Sequence, residues 1–86
     1  MVTGTLNAAN TEAENVKTAA MAYFAEFGVW PTSSDELVTE EFIAGILKAD
    51  YTISDATGFI TDATATDWSG IVWESGVDGE EKWIRE

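Results

Sequence analysis

Residues 21–37 read MAYFAEFGVWPTSSDEL, and this stretch decides the fold. A helix-like segment dense in aromatics meets Gly28, then the only proline of the chain at Pro31, then an acidic run in which a helical pattern restarts. Gly28 stands where a helix C-terminus takes a residue at positive φ. Pro31 forbids helical continuation and biases Trp30 toward an extended backbone. The chain must turn sharply here. Ser33 and Glu36 have capping-box spacing and Asp35 suits the positive end of a helix dipole, so a short second helix is expected over about 34–38. Leu37 and Val38 would tuck it onto the core.

Upstream of the junction, Leu6, Ala9, Ala13, Val16, Ala20, Tyr23 and Phe27 alternate spacings of 3 and 4, with Phe24 beside them. On a helical wheel they form one apolar stripe, which predicts an amphipathic helix over residues 5–27, about 35 Å long. The stripe is small at its start and large at its end. The thick part of the core is therefore expected against the second half, on Val16, Ala20, Tyr23, Phe24 and Phe27, completed by Trp30, Pro31 and Leu37. The start of the helix is expected to pack on little. The opposite face holds Asn7, Thr11, Asn15, Thr18, Ala22 and Ala25. Short side chains there are either tolerated exposed positions or a surface on which a second helix approaches closely.

Downstream, Phe42, Ile43, Ile46 and Leu47 form a further apolar patch. Residues 51–54, 58–61, 70–74 and 82–85 read as short strands rich in aromatic and β-branched residues. Residues 55–58 and 76–79 carry hairpin-turn chemistry, and the polar stretch Thr61–Asp67 reads as a surface loop. The expected fold class is α+β: one domain over residues 1–86, with the long helix packed on a meander of three to four antiparallel strands.

Composition removes several functions. Sixteen acidic residues against four basic ones give a formal charge of −12, which repels phosphate backbones and argues against nucleic-acid binding. The longest apolar run, Ala19–Ala25, falls far short of the ~20 residues that span a bilayer. Cysteine and histidine are absent, so thiolate and imidazole chemistry is unavailable. No G-x-S-x-G or phosphate-binding loop occurs, and adjacent acids such as Glu40 and Glu41 are expected by chance at this acidity. The expectation is a protein that is not an enzyme and holds no cofactor.

Tyr23, Gly28, Trp30, Pro31, Thr32, Ser33, Asp35 and Leu37, preceded by TLNAANTEAENVKTAA, make a pattern that resembles the headgroup of type IV pilins and of the pseudopilins of type II secretion. The resemblance covers roughly residues 5–42. It implies a structural subunit that polymerises through its N-terminal helix into a surface pilus or a secretion pseudopilus. The family's apolar half-helix, methylated at its N-terminus and carrying an early glutamate, is not in this sequence. The resemblance implies a truncated soluble headgroup whose parent uses that segment as its only membrane anchor. Implied partners are identical or homologous subunits and the inner-membrane assembly machinery, with anchoring in the bacterial cytoplasmic membrane before export to the cell surface. The face at Asn7, Thr11, Asn15, Thr18, Ala22 and Ala25 would then line the packed interior. The C-terminal disulfide of many pilins has no counterpart here.

A rival reading is a stand-alone acidic adhesive or ligand-binding module for glycan or calcium. Asp62, Asp67 and Asp78, followed by Gly79 and Glu80, lie in expected loops and offer hard oxygen ligands, though at no EF-hand spacing. Calcium binding near the C-terminus is also what the resemblance implies for some pseudopilins. Of the four tryptophans, Trp73 and Trp83 are expected in sheet packing, whereas Trp68, in a polar context, is expected to be exposed.

Overall fold

The computed structural model describes residues 2–43, 47–66, 68–74 and 81–86, with side chains from Thr5 onward. A 26-residue helix, α1 (Val2–Phe27), is followed by α2 (Ser34–Thr39) and four strands, β1 (Ala49–Ile53), β2 (Ile60–Ala65), β3 (Ile71–Glu74) and β4 (Lys82–Arg85). The class is α+β. At ~1.5 Å per residue, α1 accounts for the whole 39 Å long axis of the molecule.

The junction behaves as its residues require. Gly28 adopts φ 76° and donates its N–H to Phe24 O at 2.8 Å, closing α1. Pro31 is buried, and α2 begins at Ser34 with Leu37 fully buried. The capping box does not form: Ser33 makes no side-chain cap bond, and the Glu36 carboxylate instead accepts from the backbone N–H (2.9 Å) and hydroxyl (3.1 Å) of Thr32. Ser33 is committed elsewhere, bridging Thr52 of β1. Residues 32–34 run along the outer edge of β1, with Ile53 N–H donating to Thr32 O and Tyr51 N–H to the buried Ser34 hydroxyl. They occupy the place of a neighbouring strand.

The expected single meander is two separate antiparallel pairs, β1–β2 and β3–β4. The stretch expected to be a surface loop supplies β2. Its ladder with β1 matches Ala49 to Ala65 and Tyr51 to Ala63, then breaks register between Thr52 and Ile53 to pair Ile53 with Ile60. Ala63 and Ala65 are half-buried against the core while Asp62 and Thr64 face out, so cross-strand pairing overrides the weak β-propensity of this segment. The 76–79 turn and Ile46 lie outside the described residues.

The core is displaced from its expected position on α1. Ala9, Ala13, Val16, Ala19 and Ala20 are buried, whereas Phe24 and Phe27 remain 41% and 49% exposed and Tyr23 is half-buried. The start of the helix therefore does not pack on little. Alanine at positions 9 and 13 leaves room for Trp83 and Tyr51, the two largest fully buried side chains; in the same turns Asn10 bonds the Trp83 backbone and Glu12 accepts from the Tyr51 hydroxyl. β4 runs along α1 with Trp83 beside Asn10 and Glu81 beside Lys17, so the last turns of α1 overhang the strand. Trp30, stacked on Phe24 at 4.4 Å, and Phe42, 5.5 Å from Tyr23 and 6.0 Å from Phe27, give them partial cover. Trp30 itself is half-buried.

Candidate assembly surface

The residues of the short-chained face, Asn7, Thr11, Asn15, Thr18, Ala22 and Ala25, line one side of α1, and all six are exposed. Their alignment follows from the 3.6-residue period. Thr11 is partly self-satisfied, donating its hydroxyl to Asn7 O at 2.9 Å. Midway along this side a shallow groove of about 370 Å³ is walled by Asn15, Thr18, Ala19 and Ala22 on one flank and by Phe42 and Ile43 on the other. Phe42 and Ile43 reach it because the chain reverses just past α2, at Glu41, which takes φ 64°. Phe42 N–H then donates to Leu37 O at 2.8 Å and Glu41 N–H to Val38 O at 3.1 Å, the paired bonds of a Schellman ending.

Around the end of α1 the surface is apolar to a degree unusual for so acidic a chain. Met21, Phe24, Phe27 and Val29 are 64, 41, 49 and 58% exposed. Residues 18–34 contain a single charge, Glu26. Met21, Trp30 and Phe59 also line a recess of about 410 Å³ whose polar members are Lys17, Thr57 and Glu81. Trp30 lies directly over Gly58, φ 79°, where a Cβ would fall on the indole ring. Lys17 Nζ bonds Glu14 at 3.0 Å and the carbonyl of Glu81 at 2.9 Å, and sits 4.0 Å from the buried Glu81 carboxylate.

The sequence pattern located the short-chained face but missed the apolar tip, because Phe24 and Phe27 sit on the stripe and Met21 beside it. Val29, between Gly28 and Trp30, has no periodic signal. Of the candidate cation ligands, Asp62 is exposed on β2, and Asp67 and Asp78 lie outside the described residues. Among the described residues no group of three acidic side chains is placed to hold a metal ion. Trp68 is half-buried, not exposed, with its ring edge-on to Trp83 at 6.1 Å. It is drawn in because Trp83 and Trp73, themselves 5.4 Å apart, offer an aromatic wall where polar neighbours in sequence suggested solvent.

Among the described residues no helix is long and apolar enough to cross a membrane. Comparison with known proteins finds no matching family model, no similar curated protein and no similar solved structure.

Proposed function

We propose that this chain is the pilin-like headgroup of a subunit that polymerises into a surface filament or a secretion pseudopilus, with a structural and not a catalytic role. One observation carries the reading. The helix that spans the molecule keeps a short-chained face and an apolar tip in solvent, and the chain is nearly free of charge over that tip, residues 18–34 holding one acid out of sixteen. A chain of charge −12 repels its own copies over most of its surface. Copies meet at least cost where neither presents a charge, and short side chains let helices approach closely.

Four exposed large apolar side chains at one end of a monomer are also more than scattered surface hydrophobics require. In the assembled subunit the tip and the groove beside Phe42 would be covered by neighbouring copies, and an apolar segment preceding the headgroup would anchor the subunit in the membrane before assembly. The gene tests this directly. About 20 apolar codons with an early glutamate, immediately upstream of this sequence, support the reading; a charged or polar upstream region contradicts it.

A further inference from the structure

The alternation of backbone bonds leaves two strand edges bare, and they face each other. In β1, Tyr51 and Ile53 point their N–H groups outward to Ser34 and Thr32. The residues between them therefore bond β2: Thr66 N–H donates to Lys48 O, and Thr64 and Asp62 stand opposite Asp50 and Thr52. Ala63 and Ala65 are left directing their N–H and C=O groups away from β1. The second pair repeats the pattern. Trp83 turns its backbone to Asn10, Glu86 N–H donates to Gly70 O, and Val72 stands opposite Ile84. Ile71 and Trp73 thus direct theirs away from β4.

Between these edges lies a shallow gap of about 450 Å³, walled by residues 62–65 on one side and 70–73 on the other. Among the described residues no backbone hydrogen bond crosses it. Cα atoms of β2 and β3 nevertheless come within 8 Å of one another, against about 5.5 Å in a bonded antiparallel pair. The edges are also in register. Five residues, 66–70, join them, a hairpin-length connection, and counting outward from it sets Ala65 opposite Ile71 and Ala63 opposite Trp73. Bare groups then face bare groups. All four side chains already pack on the core, so pairing would turn none of them to the other face.

We infer that β2 and β3 form a latch that closes into one four-stranded sheet and reopens. Closed, Ala65 exchanges N–H and C=O bonds with Ile71, and Ala63 with Trp73. The latch stops at these two pairs, because the register break between Thr52 and Ile53 bends the start of β2 and Ile60 N–H is held by the Glu81 carboxylate at 3.4 Å. Four bonds, each of modest net worth against water, make it reversible. Closing also covers the last bare edges. Residues 32–34 already line the outer edge of β1, and Asn10 and Lys17 that of β4. Open, the domain offers two edges on which another extended chain can pair. All of these groups lie on one chain, so the latch does not depend on filament formation.

The test is NMR of the ¹⁵N,¹³C-labelled domain. Closure brings the Hα atoms of Thr64 and Val72 together, as a non-bonded antiparallel pair, and should give a nuclear Overhauser contact between them. The amides of Ala63, Ala65, Ile71 and Trp73 should exchange with solvent about tenfold or more slowly than in an unstructured chain, yet faster than those of Thr64 and Val72, whose bonds to β1 and β4 persist when the latch opens. Ala65→Pro removes an N–H that only the closed latch uses, at an edge position where proline is tolerated. It should free the Ile71 amide and leave Thr64 and Val72 protected; if this variant does not fold, the parent protein decides. Absence of the Thr64–Val72 contact, or exchange of the four amides at the free-chain rate, overturns the inference. So does protection equal to that of Thr64 and Val72, which would mean a permanently continuous sheet, or an Ile71 amide still protected in folded Ala65→Pro.

Discussion

The side-chain amide of Asn10 takes both backbone polar groups of Trp83, donating from Nδ2 to the carbonyl at 3.1 Å and accepting the N–H on Oδ1 at 2.8 Å. Trp83 pairs with Trp73 in the β3–β4 register, and its own N–H and C=O point the other way, toward α1. One helical residue thus does the hydrogen bonding of an absent strand, and Lys17 continues the row at Glu81 O. The edge of β4 is closed to further strands, which guards against edge-to-edge aggregation.

Asn10→Ala is expected to destabilise the domain by about 2–3 kcal/mol, since it removes two bonds and strands two backbone groups. Asn10→Asp keeps the acceptor but sets a carboxylate against the Trp83 carbonyl, and should recover only part of the loss. Urea denaturation of both variants decides the point. Equal stability of Asn10→Ala and the parent would show that water replaces the amide.

The phenol of Tyr51 gathers three elements, accepting from Trp83 Nε1 and donating to Glu12 Oε1, both at 3.1 Å, while Glu12 Oε2 accepts Lys48 N–H at 2.9 Å. Burial holds the Tyr51 pKa well above its ordinary value; the Trp83 bond opposes this in part, and the Glu12 carboxylate adds to the rise. The folded state keeps this proton at a pH where the unfolded chain releases it, so it binds more protons above about pH 10 and stability must fall as pH rises from there. Tyr51→Phe should cost about 1–2 kcal/mol at neutral pH and flatten the alkaline decline. Thermal melts from about pH 8 to 11 on both proteins, a range set by the ordinary tyrosine pKa, measure it; parallel curves would place the alkaline loss elsewhere.

Much of the fold is legible in the residues, and the misses share a cause. Gly28 and Pro31 specify the stop because their constraints are local. The helix stripe indicates the direction of burial but not its extent, which depends on where β4 runs: Asn10 and Lys17 align the strand with the middle of α1, leaving Phe24 and Phe27 beyond it. β2 was hidden because TDATAT carries little propensity of its own and is recruited by the Tyr51–Ala63 register. The short-chained face was legible from period alone. The division of the strands into two separate pairs was not, because it depends on long-range pairing.

Glu41 carries the only positive φ, 64°, among described residues other than glycine. A left-handed conformation costs an L-residue ~1–2 kcal/mol, partly offset on glycine substitution by greater freedom of the unfolded chain. Glu41→Gly should therefore stabilise by about 0.5–1 kcal/mol, visible as a raised melting temperature. A lowered one would mean that the Glu41 side chain contributes more than its backbone strain costs.

Gly58→Ala is expected to be more damaging than its size implies, because φ 79° disfavours any side chain and the new methyl falls on Trp30. A loss of about 2–3 kcal/mol is expected. Because Trp30 is only half-buried, Trp30→Ala should cost about 2–3 kcal/mol, less than the full removal of a core indole. The double variant should be less destabilised than the sum of the two, since without the indole the added methyl has nothing to strike. Additive losses would show that the two residues do not act on each other.

The central claim, that the exposed helix face is an assembly surface, is tested most directly by Ala22→Arg and Ala25→Arg, made both in this domain and in the full-length subunit in its own cells. Both positions are exposed, so the isolated domain should melt within about 0.5 kcal/mol of the parent. Filaments counted by electron microscopy should be lost or strongly reduced, because a long cation would be buried without a partner at every repeat. Normal filaments from a stably folded variant would contradict the account.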